Sequence, residues 1–258
     1  MMFALPTNIH NKIRIALYVL VFISLFLLIT WPLFAGRNVL AVASENQIQL
    51  VIAILIPLAL LLTLNDTLSH TVSVRSFALI AIFVSLAVAL RPLGLGVAGL
   101  EPIWVAIIMA GYTLGMSCGF IVGGLSLLLS ALVTGGVGPW LGNQMVLAAF
   151  IGAGAGFIGM VSVQRIVITL YAAGATYVYG WFMNLWFWPT FSNLQSGIGF
   201  DSQSSIIERV LAWAKFSLLT STGFDIPRSL LSAILIWLVA PRIRSAVNRL
   251  NAPFSTKS

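Results

Sequence analysis

Charge is what this chain has least of. Only 7% of its 258 residues are Asp, Glu, Lys or Arg, while 60% are hydrophobic. A soluble domain carries roughly 25% charged residues and uses them to cover its surface. The main solvent of this chain is therefore lipid. Cysteine is almost missing: Cys118 stands alone, so no intrachain disulfide forms, and its apolar neighbours mark it as a core residue. There are two histidines, His10 and His70, both outside the predicted spans, and six scattered carboxylates. No HExxH occurs and no acids cluster, which argues against a metal site, a histidine-based protease or a prenyl-transferase centre. No GxxxxGK[ST] occurs, so the chain by itself does not cradle ATP phosphates. Ser126 sits in GGLS, but no base lies near it in sequence. The chain reads as no enzyme, with no cofactor and no metal.

The alternation of a barrel strand is also missing. The apolar runs are continuous and about 20 residues long, as membrane helices require. Backbone groups in lipid need internal partners, which makes the fold class an all-α, polytopic membrane helix bundle. The net charge of +7 does not mark a nucleic-acid partner. The basic residues flank apolar runs instead of forming a basic patch.

Eight spans are expected, at about 15–35, 48–64, 76–90, 101–116, 118–133, 144–162, 166–189 and 210–240. A ninth is the alternative, with Pro227 kinking 207–240 or with 207–220 lying along the interface. The N-terminal run is longer than a signal sequence and no small-residue cleavage site follows it, so it reads as a retained span. Placing both termini in the cytoplasm puts Lys12, Arg14, Arg75, Arg165, Arg242, Arg244, Arg249 and Lys257 on the inner side. Arg37, Arg91, Arg209, Lys215 and Arg228 then fall outside. The location is a plasma membrane, crossed several times. Residues 1–75 form a two-helix addition, 76–250 the main membrane domain and 251–258 a cytoplasmic tail.

Small residues recur at four-residue spacing: Gly111, Gly115, Gly119 and Gly123; Ala148, Gly152 and Gly156; Ala81, Ser85 and Ala89. Such rows let helix backbones approach in lipid, or dock another membrane protein when they face outward.

Ionisable residues near spans mark function. Arg91 and Glu101 flank a Gly- and Pro-rich segment, and either pair with each other on the outer side or merely reach the interface. Trp104 follows directly. Asp225 and Arg228, at i and i+3, share a helical face beside Thr220 and Ser221; they form a local salt bridge or look into an outer cavity. The aromatic run of the seventh span is a lipid-boundary belt, yet Tyr177, Trp181 and Asn184 share one face that Asn184 turns inward. Thr134–Met145, TGGVGPWLGNQM, reads as an outer loop that offers Trp140 for stacking and the amides of Asn143 and Gln144. Ser192–Ser205 is a polar spacer or a lid.

Several of these stretches resemble one family. GLEPIWVAIIMAGYTLGMSCGFIVGG, GPWLGNQMVLAAFIGAGAG, LLTSTGFDIPRSLLSAILIWLVAPRIRSAVNRL and ALIAIFVSLAVALRP are similar, in order and spacing, to the helices of the substrate-binding S component of energy-coupling factor (ECF) vitamin transporters. The likeness covers about Ser76 to Leu250. Phe224 stands where the family has tryptophan and Ser229 where it has alanine, and Ser85 makes the helix-one row mixed. The resemblance implies a six-helix domain within the eight spans. It also implies an ABC-type importer subunit that captures a vitamin or related micronutrient from outside and delivers it inward, with a transmembrane coupling protein and two cytoplasmic ATPases as partners.

On that resemblance, Ala81, Ser85 and Ala89 dock the coupling protein. The ligand meets Arg91, Glu101, Trp104, Trp140, Asn143, Gln144, Trp181, Asn184, Asp225 and Arg228. Aromatic lining admits corrinoid, flavin, pyridoxal or thiamine compounds, and long outer loops favour a bulky, cobalamin-type ring. The alternatives are a self-sufficient ion-coupled transporter, which would show internal repeats, and a membrane enzyme acting on lipid-linked substrates, which would need clustered acids.

Overall fold

A computed structural model describes residues 7–34, 51, 55–56, 59, 74–94, 99–191 and 197–251. Eight helices are bounded within them: α1 (Thr7–Phe34), α2 (Val74–Leu90), α3 (Ile103–Leu114), α4 (Met116–Thr134), α5 (Leu141–Val161), α6 (Arg165–Phe187), α7 (Ile206–Thr220) and α8 (Thr222–Asn251). Short 3-10 turns follow α2 at Arg91–Gly94 and α6 at Trp188–Phe191. No strand occurs among the described residues. Five stretches are long and apolar enough to cross a membrane: Arg75–Gly94, Met116–Thr134, Leu141–Val161, Arg165–Phe191 and Thr222–Leu250. The expected span at 48–64 falls almost wholly outside the described residues.

Two expected boundaries are corrected. The last span is not one helix from 210 to 240. The chain breaks at Ser221, which closes α7 by donating its N–H to the Ser217 carbonyl (3.0 Å), while its own carbonyl accepts from the Phe224 and Asp225 N–H groups as α8 begins. The fifth helix starts at Leu141, because Gly138 closes a turn onto the Leu141 N–H (2.9 Å). Asn143 and Gln144 are therefore helical, not loop residues.

Glycine sets how closely the middle helices approach. Gly115, with φ 96°, forms the one-residue break between α3 and α4, a conformation that costs a side-chain-bearing residue heavily. The first two predicted rows then pack on each other. A Cβ on Gly111 or Gly152 would strike main-chain carbonyl oxygen across the interface, as would one on Gly119, and Gly123 lies as closely on Ala148. Backbone-to-backbone approach maximises dispersion contact where lipid supplies no hydrophobic drive. The third row behaves differently: Ala81, Ser85 and Ala89 are all exposed, while Ala87 on the opposite side of α2 is fully buried. Cys118 is buried and free, as its neighbours predicted.

α1 lies against the main bundle through Phe22, which meets Phe120 and Phe150, and Phe26, which meets Phe182. α7 lies on α6 through Trp213, against Trp181 and Phe182, and Phe216, against Phe187 and Phe191. A capping box starts α7: the Ser205 N–H donates to Glu208 (2.8 Å), and the Glu208 N–H donates to the Ser205 hydroxyl (3.3 Å). The Ser205 N–H, helped by the Ser205 hydroxyl, holds the exposed Glu208 carboxyl below its usual range. A depressed folded-state pKa means that the cap is intact near neutrality and is lost as pH falls through that lowered value. Hydrogen exchange of the first turn of α7 should thus quicken only in acid, and Glu208→Gln should remove that pH dependence.

Candidate functional site

The polar side chains gather at the end of the bundle where α3, α5 and α8 begin and α2, α4 and α6 finish. The Arg91 and Glu101 segments, Trp140 and the start of α8 all meet there, with Gly99 pressed against the Phe224 backbone.

Its centre is Arg228 of α8. The guanidinium donates through Nη1 to Asp225 Oδ1 (2.5 Å) and through Nη2 to Glu101 Oε1 (3.1 Å). The second oxygen of each carboxylate is also held. Trp104 Nε1 donates to Glu101 Oε2 (2.9 Å), and the Ser221 hydroxyl to Asp225 Oδ2 (2.6 Å). Asn184 Nδ2 donates in turn to Ser221 Oγ (3.1 Å). Asp225 is 0% exposed and Arg228 7%. Room for the Asp225 carboxylate is made by Gly180 of α6, where any Cβ would overlap it. Tyr179 closes the group, with its ring edge-to-face on Trp104 (4.4 Å between centroids) and the Arg228 guanidinium carbon 5.3 Å from its centre. One cation between two carboxylates, each doubly hydrogen-bonded, is how a buried charge is tolerated.

Arg91 belongs to a second group. It does not pair with Glu101, as the sequence had left open. Arg91 Nη1 donates to Ser130 Oγ (2.9 Å) and Nη2 to Gln144 Oε1 (3.2 Å). Trp140 is partly exposed and meets Trp186 edge-to-face at 6.0 Å. Trp181 turns toward Trp213 of α7 (5.7 Å), not toward the charges. Of the ten predicted residues, Glu101, Trp104, Asn184, Asp225 and Arg228 form one set and Arg91 and Gln144 a second; Trp140 and Trp181 each face a different tryptophan, and Asn143 is buried at the start of α5.

Several buried donors and acceptors have no partner among the described residues. They include Arg228 Nε, Asn143 Oδ1 and the indole nitrogens of Trp181 and Trp186. Unsatisfied buried polar atoms are rare in folded proteins and ask for an explanation. No group of three or more His, Cys, Asp or Glu able to hold a metal occurs among the described residues.

Sequence reasoning missed Tyr179 and a cavity of 520 Å³ between α1, α5 and α6. Its walls include Phe22, Phe26, Phe150, Tyr171, Tyr179 and Phe182, and none of the ten predicted ligand residues lines it. Tyr179 is its common wall with the charged group. The Ser192–Ser205 segment, from Gly197 onward, is tied down: Trp188 Nε1 donates to the Ile198 carbonyl (2.8 Å), and Phe200 sits between Trp188 and Trp31.

Compared with models of protein families, with curated proteins and with solved structures, the chain matches none.

Proposed function

We propose that this chain is the substrate-binding membrane subunit of an ECF-type importer, taking up a vitamin or related micronutrient. The observation that carries this reading is the meeting of Glu101 with Asp225 and with Arg228, the latter 127 residues away along the chain, in one largely buried network beside Arg91, Gln144 and Trp140. Buried ionisable groups in a membrane bundle mark a substrate or ion pathway. The unpartnered Arg228 Nε and Asn143 Oδ1 supply a donor and an acceptor for a polar ligand. Flat faces at Trp140 and Trp186 suit a ring. The exposed row Ala81, Ser85, Ala89 supports the partner side of the proposal: small residues let a coupling protein's helix lie close on α2. In this reading the driving force comes from partner ATPases.

Two measurements test this. The purified chain should bind one member of a vitamin panel without ATP, read as a thermal shift, while uptake should require the ATPases and the coupling protein. Uptake by the chain alone in liposomes, driven by an ion gradient, would select the ion-coupled alternative. Ser85→Leu should leave ligand binding unchanged and remove co-purification of the coupling protein, because a bulky side chain holds the partner helix away from α2.

A further inference from the structure

At the opposite end, α8 changes character within a few residues. From Ala233 to Ala240 it is apolar, and Ile234, Trp237 and Leu238 are exposed along one side. From Pro241 it is polar and basic. There a shallow, open hollow of 450 Å³ is lined by Pro241, Arg244, Ser245, Asn248 and Arg249, all on α8. Ile234, Leu238, Pro241, Ser245 and Asn248 follow one another at three- and four-residue steps, so they make one continuous stripe on the helix. The stripe is hydrocarbon below and hydroxyl and amide above, with the guanidinium groups of Arg244 and Arg249 beside it.

Arg244 is held in place. Its Nη1 donates to the Tyr112 hydroxyl (2.7 Å), and its guanidinium carbon lies 4.8 Å from the centre of that ring. Its remaining donors stay available to the hollow. Arg249 is exposed on the same rim. Further arginines stand at this end: Arg165 covers the Trp237 ring at 3.8 Å, and Arg75 donates to the Leu250 carbonyl at 3.3 Å. No described carboxylate balances the hollow. Glu101 and Asp225 hold Arg228, Glu208 caps α7, and Asp201 turns the loop before α7 by accepting from Gln203 and Ser204.

We infer that this hollow binds the phosphate headgroup of an anionic membrane lipid, whose tails lie along the exposed Ile234–Leu238 side of α8. Guanidinium forks match phosphate oxygens in pairs, and basic hollows at helix ends recognise anionic headgroups. A free phosphate would use the upper half of the stripe only. The apolar half directly beneath it favours a lipid.

The test uses the full chain in phosphatidylcholine bilayers, with and without phosphatidylglycerol. Phosphatidylglycerol should raise the melting temperature, and a fluorescent phosphatidylglycerol should be retained. Arg249→Gln should weaken that retention about tenfold, the worth of one charged hydrogen bond. Arg242→Gln, an exposed neighbour outside the hollow, should leave it unchanged. Asn248→Leu keeps the shape and charge of the lining but removes its amide, and should also weaken retention. Equal losses in Arg242→Gln and Arg249→Gln would reduce the effect to diffuse attraction and overturn the site. So would equal stabilisation by phosphatidylcholine alone. A full shift from inorganic phosphate would replace the lipid by a soluble anion. A shift produced by a glutamate-rich peptide, with none from phosphatidylglycerol, would make the hollow a protein-docking surface instead.

Discussion

Arg228→Leu is expected to destabilise the protein by about 3–5 kcal/mol, the cost of removing one partner from a buried ion pair. That corresponds to a fall of about 10 °C in melting temperature for a chain of this size. The size of the effect follows from what remains. Asp225 is 0% exposed, and without the guanidinium its charge keeps only the Ser221 hydroxyl. Glu101 is partly exposed and keeps Trp104, so it suffers less. Adding Asp225→Asn to Arg228→Leu should restore most of the lost stability, because no buried charge is then unpaired. It should not restore ligand capture, because the unpartnered Nε is gone. Arg228→Lys separates the roles from the other side: it keeps a cation but loses the fork that reaches both carboxylates. A single Arg228→Leu variant that melts like the wild type would show that the network holds nothing together.

Gly152→Leu is the second large effect expected, at about 3 kcal/mol, the upper part of the range for overpacking. The obstacle is main chain. A Cβ there meets the Gly119 carbonyl, and no rotamer change in a neighbour relieves it. α4 and α5 would have to separate along their shared seam. Gly174→Leu is the control, since a Cβ there meets nothing within 4 Å, and the same change in size should shift the melting temperature little. Thermal melts of both variants in one detergent decide the matter, and equal shifts would mean that the seam is looser than the backbone approach implies.

Much of the bundle was legible because membrane helices announce themselves by continuous apolar runs, and small residues at four-residue steps announce where such helices touch. The two glycine and alanine rows of α3, α4 and α5 do meet, and the α2 row does face outward. The partner of Arg91 was not legible. Arg91 simply continues the direction of α2 into a 3-10 turn and so reaches α4 and α5. Glu101 is turned elsewhere by Gly99, whose φ of 74° lets the segment rest on Phe224 and brings Glu101 to α8.

The break at Ser221 was open in the sequence only as an alternative, with 207–220 a separate segment, for a similar reason. Apolar residues continue on both sides of it, while Thr222 satisfies the end of α7 from its own side chain, donating to the Leu218 carbonyl at 2.7 Å. Tyr179 was obscured by the aromatic residues around it. The signal for it was a quieter one: Ala172, Thr176, Gly180 and Asn184, four small or polar residues at four-residue spacing, are all buried. That row is the face α6 turns to α8, and Tyr179 sits on its shoulder.

The glycine seam gathers three helices into one close-packed unit. α3, α4 and α5 touch main chain to main chain and therefore travel as one slab. α6 and α8 form another, joined where Asp225 enters beside Gly180 and where Ser229 donates to the Ala173 carbonyl at 2.9 Å. Two arginines of α8 rivet the slabs together through α3: Arg228 to Glu101 at one rim and Arg244 to Tyr112 at the other. A solute that drew Arg228 away from Glu101 would loosen that rim alone, because Arg244 on Tyr112 and the Tyr171 hydroxyl on the Ile151 carbonyl (2.7 Å) would still tie the slabs together.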